Sequence, residues 1–293
     1  MTDAPFLYAL LSFMIVGWTG NYIAGKVALQ SMPPVLLYGF RISMAAVLIL
    51  PVYLWERRRH KATWTLHDLP LIVLLGVFGV SLNQLLFVVG LGHTSIAHSA
   101  IFGNLTPMLV LLLASARGLE KLTPQKLAGV AVSLAGVVLL RAFDSHPKGG
   151  ATFLGDFTVF CGSAVFSIFT VLGKPTARKY GSITVNTIAY VGGAILMAPV
   201  TIWKAATFPL STIPMVAWVS VFYMALVPSV VCYLIYYYAL AHMEASQLAA
   251  FQYLLPPLAT LTGIVTLGEH ITIWTVVAAA VIFGGIYMVE RAR

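Results

Sequence analysis

The chain of 293 residues is 60% hydrophobic and only 9% charged, and it has a formal net charge of +8. A soluble domain carries roughly 25% charged residues, so a water-soluble fold could not bury this much apolar surface, and lipid is the expected solvent. The basic residues lie in short loops and form no basic face interleaved with aromatic residues. They indicate contact with anionic lipid headgroups and exclude nucleic acid as a partner.

Long apolar segments recur along the chain, most of them close to the ~20 residues that a helix needs to cross the hydrocarbon core. The first lacks the basic n-region of a secretory signal, so we interpret it as a transmembrane helix. Cys161 and Cys232 fall inside such segments and are interpreted as packing residues. The ten predicted spans are Phe6–Leu29, Pro34–Leu54, Leu69–Leu91, Ser95–Ala116, Thr123–Arg141, Asp156–Gly173, Ile183–Ile202, Met215–Leu240, Ala245–Leu267 and Ile271–Val289.

The distribution of lysine and arginine orients these spans. With the N-terminus inside, twelve of the 17 basic residues fall on cytoplasmic segments and three fall outside, while Lys26 and Arg41 lie within spans. Cytoplasmic loops carry an excess of Lys and Arg, so this bias predicts that both termini are cytoplasmic.

The second half of the chain repeats landmarks of the first. A shift of 148 residues places Trp18 on Phe166. Because each half holds an odd number of spans, the second enters the membrane from the opposite side. We therefore predict an all-α membrane protein built from two inverted five-helix repeats, residues 1–142 and 151–293, an arrangement typical of transporters. The pairs that coincide at a shift of 149 residues are His93 and His242, Phe102 and Phe251, Pro107 and Pro256, Glu120 and Glu269, and Gly136 and Gly285.

An ordered set of short motifs runs through both halves. The first half has Gly17–Tyr22, Phe40-Arg41 and Gly118–Thr123, and the second has Pro256-Pro257 and Leu267–Thr272. This set resembles the EamA family of the drug/metabolite transporter superfamily over nearly the whole chain. Members are ten-helix carriers of the bacterial inner (plasma) membrane, and many export amino acids or related metabolites. The resemblance implies export or facilitated diffusion of a small metabolite, most readily an amino acid. The expected assembly is a monomer or weak homodimer in the lipid bilayer, without a cofactor.

Polar groups near the bilayer midplane are costly, so each needs a partner or a function. Neutral amides, hydroxyls and rings suit a zwitterionic or neutral polar solute, and the alternative is hydrogen bonding between helices. For the tyrosines at the end of the eighth span, an aromatic belt at the membrane interface is the favoured interpretation. The candidate substrate-binding residues are Trp18, Asn21, Asn83, His98, Asn104, Ser163, Tyr237 and Gln252.

Prolines and glycines interrupt equivalent spans of the two halves. Proline removes a backbone hydrogen bond, and paired breaks around a central cavity give hinge points for alternating access, although a static kink is the alternative. The candidate gating or hinge positions are Gly79, Pro107, Pro228 and Pro256.

The charged residues near span ends are assigned mainly to structure. Lys26 and Arg41 could attract a carboxylate, but capping of helix-end carbonyls or snorkelling is favoured. Glu120 and Glu269 are expected to cap the fifth and tenth spans, where the helix dipole favours negative charge. No acidic residue is expected deep in a span, so His98 is the one buried titratable group. It supports the alternative of a proton-coupled efflux carrier for drugs or other metabolites.

A further alternative is an intramembrane enzyme, because Ser163 follows Gly162 and histidines are present. Against it, the chain has no HExxH motif, no nucleotide-binding loop and no Cys/His spacing for a metal. We therefore expect a carrier without enzymatic activity rather than an enzyme, a sensor or a structural membrane protein.

Overall fold

The computed structural model describes residues 4–59, 65, 68–118, 123–143, 152–242, 252, 254–269 and 271–291. Within these ranges every regular element is helical and there is no strand, so the predicted all-α class is confirmed. The α-helices are α1 (Ala4–Leu29), α2 (Pro34–Arg59), α3 (Leu69–Gly76), α4 (Asn83–Gly92), α5 (Ile96–Gly103), α6 (Thr106–Ala116), α7 (Pro124–Phe143), α8 (Phe153–Tyr180), α9 (Ser182–Thr207), α10 (Met215–Met224), α11 (Tyr233–His242), α12 (Leu255–Leu267) and α13 (Ile273–Arg291).

Several of the described helical stretches have the length and apolar surface of membrane spans. Large apolar side chains such as Val16, Val47 and Ile195 are about two-thirds exposed (66%, 67% and 67%), which suits lipid rather than water. Shorter apolar helices are Asn83–Gly92, Pro124–Leu140, Leu255–Leu267 and Ile273–Val289. In the part of the chain that the structure describes, six helical stretches are long and apolar enough to cross a membrane: Phe6–Leu29, Pro34–Arg58, Ile96–Leu113, Phe153–Leu172, Ser182–Thr207 and Met215–Ala239.

In the described part of the chain, a π-helical segment joins two consecutive α-helices at two places. Val77–Leu82 joins α3 to α4, and Ala225–Cys232 joins α10 to α11. In the second segment Pro228 has no N–H to donate to the Met224 carbonyl, which accepts instead from Ser229 Oγ at 2.8 Å. The predicted hinge residues Gly79 and Pro228 therefore lie in these two wide turns.

A second kind of break divides the predicted fourth span. α5 ends at Gly103, the turn at Asn104 follows, and α6 begins at Thr106. Pro107 cannot donate to the Gly103 carbonyl, which accepts from Thr106 Oγ1 (2.9 Å) and Ser163 Oγ (3.2 Å) instead. Pro256 occupies the same position in α12, which follows the turn at Leu254.

The helices α7 and α13 pack at the distance of backbone contact. An ideal Cβ on Gly285 would lie 2.4 Å from the Gly129 carbonyl oxygen, and one on Gly129 would lie 2.6 Å from the Gly285 oxygen. Ser133 Oγ of α7 donates to the Ile282 carbonyl of α13 at 3.0 Å. Small residues thus allow the two backbones to approach each other, as is common between helices in lipid.

A polar contact joins the start of α3 to the end of α8. The Asp68 carboxylate accepts hydrogen bonds from the Tyr180 hydroxyl and from the Thr65 backbone N–H (2.9 Å), and it lies 3.5 Å from Lys179 Nζ. The hydrogen bond from Tyr180, and then those from Thr65 with the charge of Lys179, hold the pKa of the Asp68 carboxyl below its usual range.

This depressed pKa sets the pH dependence of the contact. Its contribution to stability is full above the unfolded-state pKa of ~3.9 and is lost as pH falls through the lower folded-state pKa. The difference in melting temperature between the protein and Asp68→Asn should therefore be constant above about pH 5 and shrink below about pH 4. Thermal unfolding in detergent at several pH values tests this prediction. A difference in melting temperature that grows on acidification would contradict it.

Candidate functional site

A cavity of about 120 Å³ lies where α1, α2, α4, α8 and α11 meet the breaks before α6 and α12. Its wall combines amides, hydroxyls, one guanidinium and several aromatic rings. The lining residues are Trp18, Asn21, Tyr22, Arg41, Asn83, Gln84, Phe87, Gly103, Asn104, Thr106, Val159, Gly162, Ser163, Phe166, Tyr233, Gln252 and Leu255.

Most of the residues predicted to bind substrate line this one cavity. They come from five separate stretches of sequence, and no local motif connects them. Their role in substrate binding stays a prediction, but the structure brings their side chains to a common space. The six are Trp18, Asn21, Asn83, Asn104, Ser163 and Gln252.

The other two predicted residues are not among the described residues that line the cavity. His98 Nδ1 lies 3.1 Å from Asp156 Oδ2, with the two side chains 1% and 2% exposed. His98 is therefore not the one buried titratable group, because Asp156 is buried beside it. Asp156 lies in the first turn of α8, at the start of the predicted sixth span, so it is not deep in a span. Tyr237 packs against Phe169 and Tyr233, with ring centroids 5.7 and 6.1 Å away. Because Tyr237 is 1% exposed, it is not part of an aromatic belt at the membrane interface, and that interpretation is wrong for this tyrosine.

Arg41 is the main cavity residue that sequence reasoning assigned elsewhere. A snorkelling arginine would reach water, yet Arg41 is 2% exposed and its Nε donates to Ser229 Oγ at 2.9 Å. Ser229 follows Pro228 in the π-helix, 188 residues further along the chain. The only sequence signal for this contact is that both positions are polar at mid-span, which does not identify partners.

Hydrogen bonds fix several amides of the cavity wall. Asn83 Nδ2 donates to the Gly162 carbonyl at 3.0 Å, and Tyr233 OH donates to Asn83 Oδ1 at 3.3 Å. Gln84 Nε2 donates to Tyr190 OH at 2.6 Å. Groups held in this way cannot readily turn toward a solute, so they act as the rigid frame of the site.

Aromatic rings form the apolar part of the wall. The Trp18 ring meets Tyr233 edge-on with centroids 5.9 Å apart, and Phe166 meets the same tyrosine at 6.3 Å. Trp18 Nε1 lies 3.4 Å from the Pro228 carbonyl. Trp18 and Phe166, which coincide when the two halves are aligned, thus stand against the same ring.

Three buried polar atoms of the cavity-lining residues have no hydrogen-bond partner in the described part of the chain: Arg41 Nη1, Asn21 Oδ1 and Asn104 Oδ1. Asn104 Nδ2 donates to the Ala100 carbonyl at 2.9 Å, which fixes the orientation of that amide. An unpaired buried donor or acceptor costs about 1–3 kcal/mol. A polar ligand or water that bonds to such an atom removes this cost, so these atoms are the strongest candidates for contacts with a solute.

A group of polar contacts, here called the latch, joins the ends of four helices. Glu269 after α12 accepts from the Ile96 backbone N–H at the start of α5 (2.9 Å to Oε1) and attracts Lys26 of α1. Lys26 Nζ donates to the Thr94 carbonyl, and Thr94 Oγ1 donates to Asp156 Oδ1 of α8 at 2.5 Å.

The latch corrects the predicted role of Glu269, which caps α5 and not the helix that follows it. Gly268 has φ +64°, and the resulting turn, with Glu269 N–H bonded to the Gly263 carbonyl at 3.2 Å, directs Glu269 back toward α5. Thr272 caps α13 instead, because its Oγ1 accepts from the Thr275 N–H at 3.1 Å. The predicted cap Glu120 lies outside the described residues.

A larger hollow of about 570 Å³ lies between α12 and α13, but its wall is almost wholly apolar, as at Pro257, Leu261 and Val276. It offers no charged group and suits a lipid chain. In the described ranges no three His, Cys, Asp or Glu side chains could hold a metal. The Ser163 hydroxyl donates to main-chain carbonyls, and none of the described cavity-lining residues is a histidine that could activate it.

Comparison with known proteins identifies the family. The sequence profile of the EamA-like transporter family matches the chain twice, over residues 5–142 and 153–291. Two uncharacterized transporters of Archaeoglobus fulgidus are 26% identical over 289 residues (96% of each chain) and 27% identical over 288 residues (98% of this chain, 99% of the relative). A probable terminal-alkyne amino-acid exporter of Streptantibioticus cattleyicolor is 26% identical over 282 residues, which are 96% of this chain and 92% of that protein.

The fold is also found in a solved crystal structure, with a TM-score of 0.68 over 98% of this chain and 96% of that chain, at 20% sequence identity. At this level of identity the likeness speaks for the fold alone. The family profile covers nearly the whole chain, in keeping with the apolar helices of a multi-pass membrane protein and with the resemblance of the motifs. The chain therefore belongs to the EamA-like transporter family.

Proposed function

We propose that the protein carries a small metabolite, most readily an amino acid, across a bacterial inner membrane by alternating access around the cavity. The observation that carries the proposal is the position of this cavity. Polar and aromatic side chains of α1, α2, α4, α8 and α11 meet there beside the helix breaks at Asn104 and Leu254. Discontinuous helices around a central site are typical of secondary transporters.

The proposed carrier has ten spans in two inverted repeats, with both termini in the cytoplasm. The two profile matches support the repeat, and so do the π-helices, which lie about 149 residues apart. Ser133 and Ile282 also differ by 149 residues and contact each other directly. Equivalent residues of two repeats touch only near the axis that relates them, so this contact supports an axis that passes close to α7 and α13.

Movement is assigned to the helix breaks and to the contacts at the two ends of α8. Gly79, Pro107, Pro228 and Pro256 occupy the breaks and serve as hinges in this account. The latch holds Asp156 at the start of α8, and Asp68 holds Tyr180 at its end. Asp156 and Tyr180 are about 36 Å apart along α8 at ~1.5 Å per residue. Breaking one contact while the other forms would open the cavity to one side at a time.

Amino acids are the favoured substrates. The probable terminal-alkyne amino-acid exporter of Streptantibioticus cattleyicolor is a relative over nearly its full length. The cavity of this chain also combines unpaired polar atoms with an aromatic wall at Trp18, Phe166 and Tyr233. A solute with a polar backbone and an apolar side chain would satisfy both parts.

Counterflow in proteoliposomes tests the proposal. Vesicles loaded with one unlabelled amino acid should take up the same labelled amino acid without an added energy source. Trp18→Ala should slow this uptake about tenfold, which corresponds to ~1.4 kcal/mol of lost ring contact. Trp203→Ala removes a ring that is 61% exposed and should leave uptake unchanged. Failure of every amino acid in the panel would contradict an amino-acid carrier.

The second candidate is proton-coupled efflux of drugs or other metabolites, and the buried pair of His98 and Asp156 favours it. A proton exchanged at this pair would make or break the latch at α8. Under this alternative, counterflow responds strictly to a pH gradient and His98→Asn abolishes the response. Under the facilitative proposal, a pH gradient leaves the rate unchanged.

A further inference from the structure

Arg41 carries a positive charge in the interior, and none of the described residues that line the cavity with it is acidic. Its Nε donates to Ser229 Oγ, and its Nη1 has no partner among the described residues. A buried charge in a membrane protein is costly unless a counter-charge compensates it, and a charge that is kept there marks a functional site.

The surroundings hold the guanidinium in place without neutralising it. Ser229 Oγ donates its hydrogen to the Met224 carbonyl freed by Pro228, so its lone pair is left to accept from Arg41 Nε. Gln84 Oε1 lies 3.4 Å from the same hydroxyl. One edge of the guanidinium is thus fixed by neutral groups. The fork geometry of arginine suits two parallel hydrogen bonds to a carboxylate at its other edge.

The remaining unpaired atoms of the cavity have the opposite character. Asn21 Oδ1 and Asn104 Oδ1 are acceptors, and the amide of Asn104 is fixed by its bond to the Ala100 carbonyl. Carbonyl-type acceptors in a cavity that is also lined by aromatic rings suit an ammonium group. One cationic donor and two neutral acceptors in a single cavity match the two ends of a zwitterion.

We propose that Arg41 binds the carboxylate of the transported solute, while Asn21 and Asn104 accept hydrogen bonds from its ammonium group. This inference rests on the proposed function and makes it specific. The substrates are α-amino acids with a free carboxylate, and the corresponding carboxamides and amines are excluded because they leave the Arg41 charge uncompensated.

Ligand-induced shifts in melting temperature test the inference without requiring transport. The probes are L-leucine, L-phenylalanine and L-threonine, each paired with its carboxamide, added to purified protein in detergent. At least one acid should bind about tenfold or more tightly than its amide, the effect of removing one partner of a desolvated charge pair. Equal binding of each acid and its amide, or no binding of any acid, would overturn the inference.

The variants separate recognition from folding. Arg41→Gln should weaken binding of the acid about tenfold and leave binding of the amide unchanged, whereas Arg41→Lys should retain part of the discrimination because it keeps the charge. Arg58→Gln, at an exposed position near the end of α2, is the matched control. Equal weakening of acid and amide by Arg41→Gln would assign Arg41 to structure. If Arg41→Gln does not fold, the comparison of acid and carboxamide binding in the unaltered protein and in Arg41→Lys still tests whether Arg41 binds the carboxylate.

The outcome for Arg41 is distinguishable from the outcome for transport. Discrimination between acid and amide without counterflow would contradict the proposed carrier and retain the binding site. Counterflow that accepts acids and amides equally would retain the carrier and overturn the role of Arg41.

Discussion

Replacing Gly285 with alanine should destabilise the protein, whereas replacing its neighbour Gly284 should not. A Cβ at position 285 would lie 2.4 Å from the Gly129 oxygen and 2.5 Å from the Ser133 nitrogen, so α7 and α13 must separate. Overpacking of this kind costs about 1–3 kcal/mol, although alanine recovers up to ~1 kcal/mol through its helix propensity. A Cβ at position 284 meets nothing within 4 Å.

Thermal unfolding in detergent compares the two variants directly. Gly285→Ala should lower the melting temperature, and Gly284→Ala should leave it unchanged or raise it slightly. The two substitutions add the same methyl group to the same helix, so the change in helix propensity is the same in both. The difference in melting temperature then reports the packing of α13 against α7. Equal melting temperatures would mean that α7 and α13 do not pack through their glycines.

The second large effect is expected at the latch. Glu269→Ala removes the carboxylate that accepts from the Ile96 N–H and attracts Lys26. Hydrogen bonds to a charged group contribute about 1.5–3 kcal/mol. Loss of ~2 kcal/mol would speed amide exchange at the start of α5 by roughly 30-fold where local opening governs exchange.

Hydrogen exchange followed by mass spectrometry measures this loss. Faster exchange should be confined to peptides that begin before Ile96 and cover the start of α5, and peptides from α10 should be unaffected. Thr266→Ala is the matched control, because Thr266 is exposed in the last turn of α12, three residues before Glu269, and its hydroxyl donates to the Thr262 carbonyl of the same helix. Unchanged exchange in Glu269→Ala would mean that the Glu269 carboxylate does not stabilise the start of α5.

Most of the described helices and several of their breaks could be predicted from the sequence, because both depend on local chemistry. The first part of the predicted span Ala245–Leu267 lies outside the described residues. Apolar runs of spanning length define the helices. Proline at positions 107, 228 and 256 removes a donor wherever it stands. Polar residues at mid-span must turn inward, so six of the eight candidate residues, among them Trp18 and Gln252, could be expected at a common cavity.

The partners of the charged residues could not be derived in the same way. Arg41 contacts Ser229, His98 contacts Asp156 and Glu269 contacts the start of α5, at separations of 188, 58 and 173 residues. Each contact depends on how helices rotate and tilt against one another. The period of a single helix does not contain that information.

The most direct test of the central claim is the accessibility of one cavity position from each side of the membrane. Gly103 lines the cavity, and among the described residues a Cβ there meets the Tyr22 hydroxyl alone, at 3.5 Å, so Gly103→Cys should fold. Cys161 and Cys232 are first replaced by serine or alanine so that a thiol reagent labels the new cysteine. Alternating access predicts reaction with an impermeant thiol reagent from either side, and protection by the transported amino acid. Labelling from the same single side under every condition would contradict it.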